Sequence, residues 1–171
     1  MHFYDLTPCR YGGVVDAERW HVPLLAVGWL EHDFPYRRGK VPAAVRERLL
    51  ELRDASFEYF LGHHFMGPHA CSICFAAKRS GEHEGLPYSP SNFFVPGNDC
   101  VYAAPGAIDH YFELHGYCPP PEFCEAVLRC PDCGSEAYWR ALRKANGGPV
   151  PLAHTIPSQS GGIRYVWDTD M

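Results

Sequence analysis

The chain has 171 residues, which is enough for one domain with a substantial core. Its sixteen glycines and sixteen prolines, together with 14% aromatic residues, argue against a helical bundle because they interrupt long helices at many points. The net charge of −5 and a pI near 6.0 make nucleic acid a poor default partner, since phosphate binding depends on clustered Lys and Arg.

The sequence also indicates the cellular compartment in which we expect the protein to work. The N-terminus has no basic stretch followed by an apolar one, so it does not resemble a signal peptide. No apolar run approaches the roughly 20 residues that span a bilayer. We therefore expect a soluble cytoplasmic protein with no membrane partner. In a reducing compartment, its eight cysteines are more typical of metal ligands and buried thiols than of disulfides.

The first sixty residues predict two strands and a long helix. The apolar stretches "MHFYDL" (residues 1–6) and "VPLLAVGWL" (residues 22–30) are short and bounded by Pro or Gly, which favours strands. Residues 41–62 predict a helix that begins near Pro42 and ends at Gly62. Its apolar stripe consists of Val45, Leu49, Leu52 and Phe60.

The central region predicts a hairpin and two helices. "FFVPGNDCVYA" (residues 93–103) has β-prone residues on both sides of a turn, in which Gly97 and Asn98 can supply positive φ. A short helix within residues 105–117 should end at Gly116. A Pro-initiated helix within residues 119–130 should bury one apolar face. The residues of that face are Phe123, Val127 and Leu128.

Together these elements predict an α+β fold: a small mixed sheet with a few helices and a zinc-finger-like core of knuckle, hairpin and helix. We expect one domain over residues 1–145, with that core at about residues 62–118. Residues 146–171 form a Gly- and Pro-rich C-terminal extension with a possible strand at "IRYVW". The sequence leaves open whether this extension is a mobile tail or lies across the body.

A metal site is the strongest chemical signal in the chain. Cys71 and Cys74 form a CxxC knuckle, which directs two thiolates at one ion about 2.3 Å from each sulfur. His110 and His115 are spaced so that both imidazoles lie roughly on one face of a helix end. Thiolates combined with imidazoles favour zinc, although iron or cobalt could occupy the same ligands. The competing interpretation is two buried thiols and two ordinary histidines.

Four protein ligands would complete a tetrahedral zinc and leave no position for water, which indicates a structural ion. Upstream histidines complicate this interpretation, because any of them could replace His110 or His115 and leave the site open. These residues are His63, His64 and His69.

A second CxxC, Cys130 and Cys133, has no recognisable second ligand pair. Cys118 and Cys124 are the nearest candidates for a possible second metal site. Cys124 shares the apolar side of its helix, however, which favours a buried thiol there.

Several of these segments resemble a family of uncharacterised bacterial proteins, a domain of unknown function. The resemblance rests on Gly-Trp-Leu at residues 28–30, the Cys71 and Cys74 pair, Tyr-x-Ala-Pro at residues 102–105, and His-Tyr … His-Gly-Tyr-x-Pro-Pro at residues 110–120. It covers about residues 3–128. It implies the zinc-finger-like site and no activity, and the second CxxC lies outside it.

These patterns are compatible with three functions. The first is a zinc-stabilised binding or regulatory protein that contacts another protein, as adaptor or immunity proteins do. Such a role requires exposed aromatic residues. The candidates are Trp20, Trp29, Tyr36, Tyr138 and Trp139, most of which fit a place in the core equally well.

The alternative is a metal-dependent enzyme with an open Cys/His zinc site and Asp109 or Glu113 as general base. No motif identifies a reaction, so whether the protein is an enzyme stays open. A nucleic-acid-binding finger is the least favoured function, because the helix that carries the histidines offers no basic residue.

Overall fold

A computed structural model describes residues 2–10, 19–59, 64–79, 88–157 and 163–168, which form an α+β fold of short strands and five helices. None of the helices in these described ranges is long and apolar enough to cross a membrane. In chain order the elements are β1 Leu24–Ala26, α1 Ala43–Tyr59, β2 His64–Ala70, α2 Ser72–Arg79, β3 Tyr88–Pro96, β4 Val101–Pro105, α3 Ile108–Leu114, α4 Pro121–Arg129, α5 Glu136–Asn146, β5 Ala153–Pro157 and β6 Ile163–Trp167.

The main sheet has four strands in the order β1-β4-β3-β2. Strand β1 is parallel to β4, whereas β3 is antiparallel to both of its neighbours, so the sheet is mixed as predicted. Every residue of β4 is buried, and the indole N–H of Trp29 donates to the carbonyl oxygen of Ala103 in that strand at 3.0 Å. The core of the domain therefore surrounds β4.

The predicted hairpin exists as β3 and β4, with Pro96 paired to Val101 across the turn. Neither Gly97 nor Asn98 has a positive φ, however, so that part of the prediction is wrong. Glycine is required at position 97 for space: a Cβ there would lie 2.6 Å from the sulfur of Cys100 and 3.0 Å from its carbonyl oxygen.

The predicted strand at residues 1–6 is wrong over the described residues. This segment forms a turn in which the Thr7 hydroxyl donates to the carbonyl oxygen of Tyr4 and Leu6 has a φ of 62°. Backbone hydrogen bonds still hold the segment along β1, since the Leu6 N–H donates to the carbonyl oxygen of Ala26 and the Ala26 N–H donates to that of Thr7. The turn nevertheless prevents a regular strand, and the segment forms an isolated bridge between Pro8 and Leu25. Residues 3–9 thus run along β1 with backbone hydrogen bonds but without forming a strand.

The long helix is confirmed as α1 and begins where Pro42 accepts a hydrogen bond from the Arg46 backbone N–H. Its predicted stripe of Val45, Leu49 and Leu52 is buried. Helix α1 packs against β3 and α4. The other predicted features of this helix, Phe60 and Gly62, lie outside the described residues.

Helix α4 buries Phe123 and Val127 as predicted, but Leu128 is 52% exposed. Residues four apart lie on one helix face, and the next residue is rotated about 100° away from it. Leu128 therefore turns toward solvent, and the prediction that it faces inward is wrong.

The C-terminal segment begins with α5, a helix that the sequence analysis did not predict. Its boundaries are set by Ser135, whose side chain accepts from the Tyr138 N–H, and by Gly147, which has a φ of 70°. The predicted strand at "IRYVW" is confirmed as β6, antiparallel to β5. Buried Asp168 accepts from the Val150 N–H and from Arg143 of α5, so this end of the extension lies against the body.

Candidate metal centre

The two cysteines of the first knuckle lie at the start of α2. Cys71 directly precedes the helix, and Cys74 lies in its first turn. The backbone N–H of Cys74 points at the Cys71 sulfur, with an N to Sγ distance of 3.4 Å, and the Phe75 N–H donates to the carbonyl oxygen of Cys71 at 3.0 Å. This tight turn directs both sulfur atoms to the same side.

The two histidines lie within and directly after α3. His110 is inside the helix, and His115 is its C-terminal cap residue. The backbone N–H groups of both His115 and Tyr117 donate to the carbonyl oxygen of Tyr111, which closes the helix end. Gly116 has a φ of 63°, a conformation that glycine adopts without strain, so the predicted helix end at Gly116 is confirmed.

Knuckle and helix end bring four potential ligand atoms together, all within 4.8 Å of one another. The Nε2 atoms of His110 and His115 are 3.0 Å apart, and each lies 3.3 Å from the sulfur of Cys74. The Cys71 sulfur lies 3.4 Å from His115 Nε2. A tetrahedral zinc, with bonds of about 2.3 Å to sulfur and 2.0–2.1 Å to nitrogen, places its ligand atoms roughly 3.3–3.8 Å apart. The donor set and its spacing therefore fit a metal ion.

Burial disfavours the charged forms of the cysteine and tyrosine side chains at this cluster when no cation is bound. Burial and the neighbouring Cys71 together raise the pKa of the Cys74 thiol to about 11. Burial, followed by the nearby cysteine charges, raises the pKa of Tyr111. The Tyr111 hydroxyl has no hydrogen-bond partner among the described residues. A bound cation would stabilise both thiolates in this setting.

The carboxylates considered as general bases are engaged in ion pairs with α1. Asp109 pairs with Arg53, and Glu113 pairs with Arg46. Of the histidines considered as replacement ligands, His63 lies outside the described residues. His64 and His69 lie in β2, and their side chains also fall outside the described part of the chain.

The four cysteines of the possible second site are not brought together. Cys118 precedes α4 and Cys124 lies in that helix, whereas Cys130 and Cys133 follow its end. Within the described ranges, the only group of three or more potential ligands is the Cys71 cluster. Cys124 is half-buried, with Cys118 nearby, and Cys130 and Cys133 are buried. Helix α4 accounts for this separation, because Cys124 and Cys130 are six positions apart along it, which at about 1.5 Å per residue is about 9 Å.

Most of the aromatic residues proposed as surface contacts are in the core. Only Tyr36 is partly exposed, whereas the others are buried: Trp20, Trp29, Tyr138 and Trp139. Among the described residues of the first forty, the exposed aromatic residues are Tyr4 and Phe34, whose ring centroids lie 6.4 Å apart.

A polar junction built on Asp5 was not predicted from the sequence. Its Oδ1 atom accepts hydrogen bonds from the Gly28 N–H and the Tyr117 hydroxyl, both at 2.9 Å. This carboxylate therefore connects the N-terminal turn to the residues that follow β1 and α3. The sequence did contain a signal for the turn, because Asp5 directly precedes "LTP", and Asp, Thr and Pro are residues that favour turns.

No curated protein and no solved structure was found to match this chain. A family description does match, and it covers β1 to α4 and all four residues of the Cys71 cluster. Cys130 and Cys133 lie beyond the matched residues. On the strength of this match over residues 1–128, the chain belongs to the family described as "Domain of unknown function (DUF7919)".

Proposed function

We propose that this domain is a zinc-stabilised binding or regulatory module that acts through contact with another protein. The observation that carries the proposal is the buried cluster of four ligand atoms. Cys71 and Cys74 supply two sulfurs, and His110 and His115 supply two Nε2 nitrogens. Zinc is favoured because thiolate and imidazole ligands in a tetrahedral arrangement are typical of it.

The ion's role is structural in this proposal, because four protein ligands fill a tetrahedral zinc and catalysis requires an open position. The ligands also come from segments far apart in sequence, since Cys71 and His115 are 44 positions apart. An ion bound there would fix the start of α2 to the end of α3. Asp109 and Glu113, the nearest acidic residues on α3, are already paired with arginines.

The partner is proposed to be a protein, in the manner of adaptor or immunity proteins. With the metal enclosed, the features available to a partner are surface side chains. Tyr4 and Phe34 are 52% and 42% exposed, and aromatic residues are frequent anchors of protein interfaces. The negative net charge gives no support to nucleic acid as the partner.

Metal content and folding test the structural ion. Protein purified without an affinity metal should contain about one equivalent of zinc at this cluster by inductively coupled plasma mass spectrometry. Removal of zinc with a chelator should abolish the near-ultraviolet circular dichroism signal, and added zinc should restore it. A metal-free protein that keeps its native signal would contradict a structural ion, and a folded protein purified with no metal would contradict the site itself.

The protein partner is tested by photo-crosslinking in cells. A photoreactive amino acid at Phe34 should give one discrete adduct, whereas the same group at exposed Lys40 should not. Loss of the Phe34 adduct after Tyr4→Ala would place the contact on this aromatic pair. Equal adducts at both positions, or none at Phe34, would count against this surface.

A further inference from the structure

A small cavity lies between the N-terminal turn and the loop that follows β1, apart from the metal cluster. Its volume is about 270 Å³. Its apolar walls include Phe3, Leu30 and Pro35, and its polar lining includes His2, Asp5 and Arg37. A pocket with apolar walls and a few converging polar groups is the usual form of a small-molecule site.

The negative group of this cavity is Asp5. Its carboxylate is held in place by the Gly28 N–H and the Tyr117 hydroxyl. Burial raises its pKa, and the hydrogen bonds from Gly28 and Tyr117, followed by the nearby charges of His2 and Arg37, only partly oppose that effect. A desolvated carboxylate of this kind gains stability from a cationic partner.

The positive side of the cavity is Arg37, whose guanidinium forms no salt bridge within the described residues. A guanidinium presents a planar fork of donors that matches a carboxylate. The cavity thus offers an anionic group and a cationic group side by side.

His2 supplies a further indication that a ligand belongs here. Both of its ring nitrogens are buried, and neither has a hydrogen-bond partner in the described part of the chain. The ring itself is fixed by stacking on Phe34, with 4.2 Å between centroids. Buried polar atoms without partners cost free energy, so a ligand that bonds to them would be favoured.

We propose that this cavity binds a small zwitterion of the free amino acid class. The ammonium group of the ligand would pair with Asp5, and its carboxylate with Arg37 and the N–H of His2. An apolar side chain would lie against Phe3 and Leu30. The volume of about 270 Å³ lies just below the roughly 300–1,000 Å³ of drug-sized ligand sites, which suits a molecule as small as an amino acid.

This proposal goes beyond the zinc-stabilised module and does not depend on it. The two sites do share a neighbour, since the Tyr36 hydroxyl, from a residue that lines the cavity, donates to the carbonyl oxygen of His115 at 3.2 Å. Binding is therefore measured on the full chain with its metal content determined, so that a failure to fold is not mistaken for a failure to bind.

Isothermal titration calorimetry against each of the free amino acids tests the ligand class. At least one apolar amino acid should bind with a dissociation constant below about 1 mM, the weak end of specific small-molecule affinity. Its N-acetyl form and its amide should each bind at least tenfold more weakly, because each lacks one of the two charges. Blocked forms that bind equally well, or no binding by any free amino acid, would overturn the proposal.

A matched pair of variants locates the binding. Arg37→Gln should weaken binding at least tenfold, whereas Lys40→Gln, which removes an exposed charge nearby but outside the cavity, should leave it unchanged. Both side chains are exposed, so neither change should prevent folding. Equal losses in both variants, or none in Arg37→Gln, would overturn the site.

Discussion

The two CxxC knuckles of this chain have the same cysteine spacing and different surroundings. Cys71 and Cys74 face the imidazoles of His110 and His115, and the four ligand atoms form one buried cluster. Cys130 and Cys133 are also buried, but their neighbours are other groups. Arg48 donates to the carbonyl oxygen of Cys130, and Cys133 contacts the hydroxyl of Tyr138.

This difference shows that a CxxC turn is half of a metal site and that the fold supplies the other half. The first knuckle lies at the end of α3, so its two sulfurs meet two imidazoles there. The second knuckle lies between α4 and α5, where the neighbouring side chains are a guanidinium and a phenol. A nearby cation favours thiolates but cannot itself act as a ligand.

The largest expected contrast comes from serine substitution in each knuckle. Cys71→Ser should lose about one equivalent of zinc and, with it, most of the binding free energy that stabilises the fold, about 10–16 kcal/mol for structural zinc sites. Cys130→Ser should keep the zinc and lose about 1–3 kcal/mol, the cost of burying a hydroxyl in place of a thiol. Mass spectrometry of metal content and urea unfolding measure the two effects.

Two other results of these substitutions would change the comparison between the knuckles. Loss of a zinc equivalent in Cys130→Ser would show that the second knuckle also holds a metal. Retention of zinc in Cys71→Ser would mean that another side chain replaces the cysteine. Cys100→Ser, at a half-buried thiol in the hairpin turn, is the control for the substitution itself.

The sequence was sufficient for the first knuckle because both halves of the site carry a local signal. The CxxC spacing, the histidine spacing and Gly116 at the helix end are all visible in the sequence, and the structure brings these ligands together. The α+β class, α1, α4 and the hairpin were likewise predictable from periodicity and turn residues.

The failures have a common physical cause, which is tertiary context. The turn at Leu6 is stabilised by contacts with residues far along the chain, such as the bond from Tyr117 to Asp5. The exposure of Leu128 depends on which neighbour covers each face of α4. The surroundings of Cys130 and Cys133 depend on Arg48, a residue 82 positions before Cys130.

The smaller expected contrast concerns thiol reactivity in the second knuckle. Burial raises the pKa of Cys130 and of Cys133 to about 12 each, and the positive charge of Arg48 only partly opposes this. At pH 8 about one thiol in 10⁴ would then be ionised, against roughly a quarter for an ordinary cysteine. Since the thiolate is the nucleophile, alkylation of folded protein should be at least about 100-fold slower than after denaturation.

The pH dependence distinguishes a raised pKa from simple steric protection. Because both thiols titrate near pH 12, the iodoacetamide labelling rate should rise about tenfold per pH unit between pH 8 and 10, as long as the protein stays folded. Labelling limited by opening of the structure would show a flatter profile. Rapid labelling at pH 8, followed by peptide mass spectrometry, would instead indicate ionised thiols. Thiolates are the form of cysteine that binds a metal, so the second knuckle would then lack only further ligands such as the histidines of the first.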